Sequence, residues 1–522
     1  MKKIALMIMA VVGTVLGATA QPEATYNYLD KTYTLNADGS VEMRVRSSLT
    51  YNTMSSFFSM FGETFIEYNP EFQTLTINDC YTRQVDGTII KAPANAFNEV
   101  LPRSATDAPA YNHLKEMVIT HTGLELGATA FLDYTITSSA EMMGGELDFT
   151  EIVPKYAAEV RKLTLTVKLP EGKTLRYAEV DALGKSAGIK SVKGSKTWTW
   201  NKVKPFSREQ YAPALMGKAR LYATTLPSTA EVVGRMYYDT RDMFRIDPAR
   251  TAGKEGADKV AAICGYVSNM MALNNIPAAL TGYRHAPART VDARCYGTEL
   301  DKIFMLNKAL LGEGFECDIM LCYPKDCPLY TLSGYTRAAV KVNVADKAMW
   351  LDANGSEISP AQDADRYVWV SMVEMAPEEV AHQSSKHDLS FEIKVSTNGA
   401  KGASVRTANG VRIISVNDRG SLNLAALNST RTEPFELYNT IDHREVYTVT
   451  LEDGNFVGKS RKKAVNNSLG NASWEVSIDG NVATITRTLK INKSVVWPSE
   501  WKQMRELVTF SQNSAPLTLI AK

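Results

Sequence analysis

Residues 297–302 read Gly-Thr-Glu-Leu-Asp-Lys, and they open the stretch that decides the fold. Thr298 has the side chain of a helix N-cap, and Asp301 three residues later completes a pair similar to a capping box. Apolar side chains, interrupted once by a polar one, then recur at helical spacing: Leu300, Ile303, Phe304, Asn307, Leu310 and Leu311. Gly312 and Gly314 end the pattern, so the sequence predicts a capped helix from Thr298 to about residue 312.

A short strand and an aromatic segment follow this helix. Residues 315–323 read Phe-Glu-Cys-Asp-Ile-Met-Leu-Cys-Tyr, and residues 350–352 read Trp-Leu-Asp. A capped helix, a strand and a downstream Trp-Leu-Asp together resemble the core of the transglutaminase-like (papain-like cysteine) superfamily. The resemblance covers roughly residues 235–365, and it implies an α/β core there.

The residues of the family's catalytic triad can be placed on this sequence through its motifs. In the family the helix opens with Gly-Asp-Cys-Lys-Asp-Lys, and the cysteine is the nucleophile; Glu299 stands at that position here. The family's histidine follows an aromatic residue and an asparagine in a strand, which corresponds to Arg337 in residues 335–340. The aspartate after Trp-Leu is retained as Asp352. The resemblance therefore implies a triad that has lost its cysteine and its histidine.

Neither replacement can perform the family's chemistry. A carboxylate that attacks an amide forms an anhydride, which collapses back more easily than it expels an amine. Arginine cannot act as a general base because its pKa stays above about 12. Loss of a nucleophile from a comparable triad costs on the order of 10⁶ in rate. We therefore expect no acyl-transfer or protease activity, and instead an ion pair between Glu299 and Arg337, with Asp352 close enough to share the guanidinium.

Two other arrangements stay open at this point. Cys295 lies four residues before Glu299, and with His285 and Asp352 it is an alternative nucleophile for an active extracytoplasmic cysteine protease or transglutaminase. Alternatively, Glu299, Asp301 and Asp352 offer carboxylates for different chemistry, such as that of a glycoside hydrolase, which needs two of them about 5–10 Å apart.

The flanks of the core have the alternating pattern of β-strands. Val41, Met43 and Val45 alternate with polar residues, and so do Leu163, Leu165 and Val167 before Pro170; the same pattern returns from about residue 365. The order of these strands, including residues 126–134, also resembles a β-domain of unknown function that precedes bacterial transglutaminase-like cores. The fold class is therefore multidomain α+β: a β-sandwich at 21–235, a transglutaminase-like α/β core at 236–365 and a C-terminal β-domain at 366–522.

A second amphipathic helix precedes the central motif. Residues 259–271 carry one apolar stripe made of Val260, Ile263, Cys264, Val267, Met270 and Met271. Pro277 and the two asparagines before it follow the end of this helix.

The first 20 residues have the form of a secretory signal peptide: two lysines, an apolar run and Ala18-Thr19-Ala20 as the cleavage site. We therefore expect an exported protein, periplasmic or secreted. The mature chain has 56 basic and 57 acidic residues, a net charge of −1, which gives no reason to expect nucleic acid as a partner. No later stretch is apolar enough to span a membrane.

Other composition features limit the expected cofactors and partners. The six cysteines show no Cys-x-x-Cys spacing and the six histidines are scattered, so we expect no metal or other cofactor. Cys322 and Cys327 could close a small disulfide loop, whereas buried free thiols suit Cys80 and Cys264 better. The sequence thus predicts a monomeric binding or scaffolding protein for a peptide, protein or glycan of the cell envelope.

Overall fold

The computed structural model describes residues 22–58, 61–153, 157–205, 209–236, 244–396, 399–419, 428–437 and 439–522. The predicted signal peptide lies outside these residues. The described part of the chain is mostly β and forms several sheets. Its α-helices are Ser55–Phe58, Ala140–Met143, Thr229–Met236, Pro248–Thr251, Gly256–Met270, Ala288–Arg294, Glu299–Gly312 and Trp501–Ser511. None of these described helices is long and apolar enough to cross a membrane.

Three sheets form the part of the structure before residue 225. The largest has the strand order Ser195–Val203, Glu159–Lys168, Ala24–Leu35, Val41–Tyr51, Thr129–Ser138, Gln73–Arg83 and Ile89–Lys91. A four-stranded sheet has the order Lys190–Lys193, Thr174–Val180, Arg220–Thr224 and Asp148–Ile152. A three-stranded sheet has the order Glu63–Tyr68, Lys115–Thr120 and Phe97–Val100.

The alternation of the strands explains how these sheets pack. Leu165 and Trp198 of the large sheet share one buried cluster with Phe149, Leu175 and Leu221 of the four-stranded sheet. Because successive side chains of a strand point to opposite faces, each of these sheets keeps a second face for other contacts. The region is therefore a layered β structure built from antiparallel pairs and one parallel pair, Ala24–Leu35 with Glu159–Lys168.

The second face of the four-stranded sheet packs against the central part of the molecule. Ala178, Val180 and Tyr222 lie in the same buried cluster as the helices and strands that follow, up to Met372. One hydrophobic core therefore continues across residue 235, the predicted end of the first domain.

The central part consists of helices packed on a six-stranded sheet. The sheet order is Glu357–Ile358, Lys347–Leu351, Arg337–Val344, Cys317–Pro324, Tyr367–Ser371 and Pro377–Glu378, all antiparallel. The helix Glu299–Gly312, hereafter the central helix, is buried at every position from Leu300 to Leu310. Such a helix is enclosed by the core on all sides rather than lying on its surface.

A nine-stranded sheet dominates the C-terminal part. Its order is Arg461–Asn467, Gly470–Asp479, Val482–Ile491, Ile441–Leu451, Ser385–Ser396, Gly399–Ala400, Ala403–Ala408, Val411–Val416 and Thr518–Ala521. The helix Trp501–Ser511 buries Trp501, Met504 and Leu507 against this sheet. Two-residue strands pair Ala272–Leu273 with Tyr296–Gly297, and Phe435–Glu436 with Val495–Val496. Short 3₁₀ helices occur at Ala94–Ala96, Arg103–Ala105, Pro109–Tyr111, Ala278–Thr281, Leu332–Gly334, Pro360–Gln362, Pro498–Glu500 and Ala515–Leu517.

Two expectations need correction. The predicted apolar stripe of the helix Gly256–Met270 is buried at Val260, Ile263, Cys264 and Val267, and Met271 just after the helix is buried too, but Met270 is 43% exposed. The disulfide between Cys322 and Cys327 does not form. All six cysteines are free, and the Cys327 thiol donates a hydrogen bond to the carbonyl of Leu329 at 3.2 Å.

Candidate functional site

The central helix begins with the predicted capping box. The Asp301 N–H donates to the Thr298 hydroxyl at 3.2 Å, and the Thr298 N–H donates to the Asp301 carboxylate at 2.9 Å. Asp301 also accepts hydrogen bonds from the Arg294 guanidinium at 2.6 Å, the Tyr111 hydroxyl at 2.9 Å and the Ala286 N–H at 2.5 Å. This carboxylate is fully buried and fully bonded. It is a structural group, and the glycoside-hydrolase alternative loses one of its three acids.

Glu299 has a different environment in the same first helical turn. One carboxylate oxygen, Oε1, accepts a hydrogen bond from the Ala338 N–H at 3.0 Å. Burial raises the pKa of Glu299 above its ordinary value, and the charge of Asp352 adds to that rise. The bond from Ala338 and the charge of Arg337 act in the opposite direction. The nucleophile position of the resemblance thus holds a carboxylate that faces a cavity.

The prediction of an ion pair between Glu299 and Arg337 is wrong. The Arg337 guanidinium instead forms an ion pair with Asp363. It also lies over the rings of Tyr367 and Trp369, with the central guanidinium carbon 5.3 Å from each ring centre.

The alternation of the strand Arg337–Val344 explains this outcome. Ala338 and Val340 pack in the same cluster as the central helix, whereas Ala339 packs on the other side of the sheet with Trp369. Arg337 has the same parity as Ala339, so its side chain starts on the face away from the helix. The neighbouring backbone N–H of Ala338, rather than the guanidinium, reaches the carboxylate of Glu299.

Asp352 is held in a turn after the strand Lys347–Leu351. Its Oδ1 accepts hydrogen bonds from the N–H groups of Asn354 at 2.8 Å and Ser356 at 2.9 Å. Behind it, the buried ammonium of Lys302 donates to the Met271 carbonyl at 2.8 Å and to the Asn354 side-chain oxygen at 2.9 Å. Burial lowers the pKa of Lys302, and the charge of Asp352 opposes that shift.

The structure brings Glu299, Arg337 and Asp352 to one cavity of about 540 Å³, hereafter the acidic cavity. Its remaining wall consists of residues 273–278, Ala338, residues 353–354 and Ile358. The lining contains carboxylates, amides and one guanidinium, and neither a thiol nor an imidazole is among the described residues of this wall. No cluster of metal-binding side chains occurs in the part of the chain that the structure describes.

The alternative nucleophile, Cys295, lies elsewhere. It follows the helix Ala288–Arg294 in a left-handed backbone conformation (φ 59°), and its exposed thiol donates a weak hydrogen bond to the Asp292 carbonyl at 3.5 Å. His285 stacks on Phe304, with ring centres 3.7 Å apart. Within the described structure Cys295 has no hydrogen bond to His285, and a helix C-terminus does not supply the N–H groups that stabilise a thiolate.

A second cavity adjoins the first, and the sequence reasoning missed it. It has a volume of about 570 Å³ and is hereafter the aromatic cavity, because Tyr211, Tyr367, Trp369 and Phe435 line it. Arg337 and Ile358 belong to the walls of both cavities. Its lining comes from three distant segments, around residues 211, 337–369 and 435–437, so no local motif could reveal it.

The comparison with solved structures includes a match over nearly the whole chain. A crystal structure from Parabacteroides distasonis, provisionally described as a protease, is 31% identical in sequence with a TM-score of 0.77. The match covers 96% of this chain and 99% of that chain. Native leukotriene A4 hydrolase from Saccharomyces cerevisiae matches 38% of this chain and 29% of its own at 6% identity, and its TM-score of 0.21 carries no argument. No curated protein matches the chain.

Two family models match the outer parts of the chain. Both are described as domains of unknown function: DUF3857 at residues 37–207 and DUF3858 at residues 412–520. Together with this structural match, they fit a transglutaminase-like protein with N- and C-terminal domains; neither the two family models nor that structure names the superfamily directly. The chain belongs to the family of the Parabacteroides distasonis protein.

Proposed function

We propose that this chain is an exported transglutaminase-like protein that has lost acyl-transfer chemistry and acts as a binding or scaffolding protein in the cell envelope. The proposal rests on which residues stand at the expected catalytic positions and what they contact. Glu299 stands at the start of the central helix and is bonded to the Ala338 N–H, while Arg337 is paired with Asp363. The cavity that contains both residues therefore offers no nucleophile and base in contact.

The chemistry of these groups supports the loss of activity. A thiolate at a helix start is favoured by the unpaired N–H groups of the first turn, and a carboxylate at the same place receives the same stabilisation. The carboxylate is a far poorer nucleophile toward amides, and a guanidinium that stays protonated cannot act as the general base that histidine provides in the family. The fold thus keeps a carboxyl group at this position, and a carboxyl group cannot form a thioester.

The cavities support the binding role. Two adjoining cavities of about 540 and 570 Å³ lie within the range of about 300–1,000 Å³ that is usual for ligand sites. The description of the Parabacteroides distasonis relative as a protease suggests peptide-like ligands for the family. The signal peptide predicted from the sequence supports ligands outside the cytoplasm as part of this proposal.

An assay of both activities tests the proposal. The purified mature protein is incubated with a glutamine-containing peptide and a fluorescent primary amine, and separately with a mixture of peptides analysed by mass spectrometry. We expect neither amine incorporation nor cleavage, for the wild type and for Cys295→Ala alike. Turnover by the wild type that Cys295→Ala abolishes would overturn the proposal and establish the alternative cysteine enzyme.

A further inference from the structure

The acidic cavity has an unbalanced charge. Glu299 and Asp352 are carboxylates of its wall, and Arg337 is its only positively charged wall residue among those described. The ion pair with Asp363 already compensates Arg337. If Lys302 behind the wall and Asp363 of the neighbouring aromatic cavity are counted as well, the three carboxylates of Glu299, Asp352 and Asp363 exceed the two cations by one charge.

A ligand in the cavity can reach this excess negative charge at the free carboxylate oxygen of Glu299. Its Oε1 accepts from the Ala338 N–H, and Oε2 has no hydrogen bond or ion pair with any described residue. Asn274 and Asn275 belong to the same wall, and the side-chain oxygen of Asn274 is buried without a hydrogen-bond partner among the described residues. Carboxylate and amide oxygens together provide the acceptors that an ammonium group with its three donors requires.

The aromatic cavity has the opposite character. Its two guanidinium groups are compensated, Arg337 by Asp363 and Arg366 by Glu436, so the cavity offers no net charge to a ligand. Aromatic rings form much of its wall. Such a surface favours an apolar or aromatic group.

Tyr211 at the rim of this cavity is held in a conformation that a bulky residue rarely adopts. Its φ is 59°, its side chain is 60% exposed, and its ring lies 5.3 Å from that of Phe435. The Glu436 N–H fixes it by donating to its carbonyl at 2.7 Å. Backbone strain of this kind concentrates at ligand clamps and active sites.

We propose that the two cavities together bind a peptide through a primary ammonium group and a neighbouring apolar side chain. Glu299 and Asp352 hold the ammonium, and the rings around Tyr211 and Phe435 hold the apolar side chain. Because Arg337 and Ile358 form part of both walls, one short segment of peptide reaches both cavities. The inference rests on the proposed function and names the ligand class of that site. The ammonium is either the amino terminus or a lysine side chain.

Isothermal titration with three peptides tests the inference. The first is a tripeptide amide with phenylalanine at its free amino terminus, the second is its N-acetylated form, and the third is an acetylated peptide that carries phenylalanine next to lysine. We expect binding of the first or the third peptide and none of the second, and the stronger of the two identifies the source of the ammonium. Glu299→Gln should weaken binding by about 10- to 100-fold, the usual range for a hydrogen bond to a charged group.

Matched variants separate the two cavities. Tyr211→Ala should weaken the binding of every bound peptide, whereas Glu392→Gln, the same amide replacement at an exposed strand position, should leave it unchanged. Equal binding of free and acetylated peptides, insensitivity to Glu299→Gln, binding of a neutral oligosaccharide instead, or no binding of any peptide would overturn the inference. The peptide comparison on the wild type decides the matter even if a variant does not fold. Cleavage of a peptide or its transfer to an amine would instead overturn the proposed function.

Discussion

Glu299 and Asp301 begin the same helix two positions apart, yet their carboxylates have opposite roles. Asp301 points into the core, where the side chains of Arg294 and Tyr111 and the backbone N–H groups of Ala286 and Thr298 bond its carboxylate. Glu299 points toward a cavity, where a single backbone N–H bonds one of its oxygens. The first turn of any helix favours an acidic residue, because its N–H groups are unpaired. The surrounding residues then decide whether the carboxylate stabilises the fold or stays available to a ligand.

The largest effect is expected from Asp301→Ala. The change leaves the nearly buried guanidinium of Arg294 without its carboxylate and removes the capping box. Breaking a buried pair by removing one partner costs about 3–5 kcal/mol. Urea unfolding should show a loss of that size, with exposed Asp346→Ala as the control. A loss below about 1 kcal/mol would show that Asp301 does not support the fold, and the contrast with Glu299 would fail.

Asp148 extends the comparison to a buried carboxylate that has neutral partners. The Ser333 N–H donates to it at 3.3 Å, Oδ2 is buried without a partner among the described residues, and burial raises the pKa of Asp148 to about 7. An unfolded aspartate has a pKa of about 3.9. Between these values the folded state holds a proton that the unfolded state releases.

The free energy of unfolding should therefore fall as pH rises from about 4 to about 7, by at most about 1.4 kcal/mol per pH unit from this one group. Asp148→Asn should remove that contribution and make the pH profile flatter, and it should stabilise the protein above pH 7 relative to the wild type. Urea unfolding at several pH values measures both, with exposed Asp388→Asn as the control. An unchanged profile would mean that Asp148 does not titrate in this range.

The smallest effect on stability is expected from Glu299→Gln. The glutamine oxygen can still accept from the Ala338 N–H, and the change removes a charge that burial and Asp352 disfavour. We expect the free energy of unfolding to change by less than about 1 kcal/mol in either direction, since the one hydrogen bond is retained. A loss similar to that of Asp301→Ala would show that Glu299 is a structural residue and would remove the basis for a ligand at this carboxylate.

The sequence revealed those features that depend on neighbours along the chain. The central helix, its capping box and the strands on either side follow from local spacing, and the structure contains them. The ion-pair partner of Arg337 could not be predicted from local spacing. It depends on which face of the strand Arg337 takes and on Asp363, which lies 26 residues further on. The strand period of two, applied to Arg337 and Ala338, would have warned that the guanidinium starts on the face away from the helix.

The aromatic cavity shows the limit of the sequence more clearly. Tyr211 belongs to the predicted N-terminal domain, whereas Trp369 and Phe435 belong to two distant segments of the predicted C-terminal domain, and only the packing of these segments brings the rings together. The continuous core across residue 235 was hidden for a similar reason. Both faces of the strand Arg220–Thr224 are buried, and alternation by itself does not say which layer covers each face.

A covalent active-site probe tests the central claim, the absence of a working nucleophile, most directly. The mature protein is incubated at pH 7 with an amide-mimicking peptidyl ketone that alkylates catalytic thiols, and the intact mass is measured. We predict an unchanged mass for the wild type. For the variant Glu299→Cys we predict an adduct at the new thiol, because the N–H groups at the helix start favour its thiolate form. A stoichiometric adduct on the wild type at Cys295 would contradict the account.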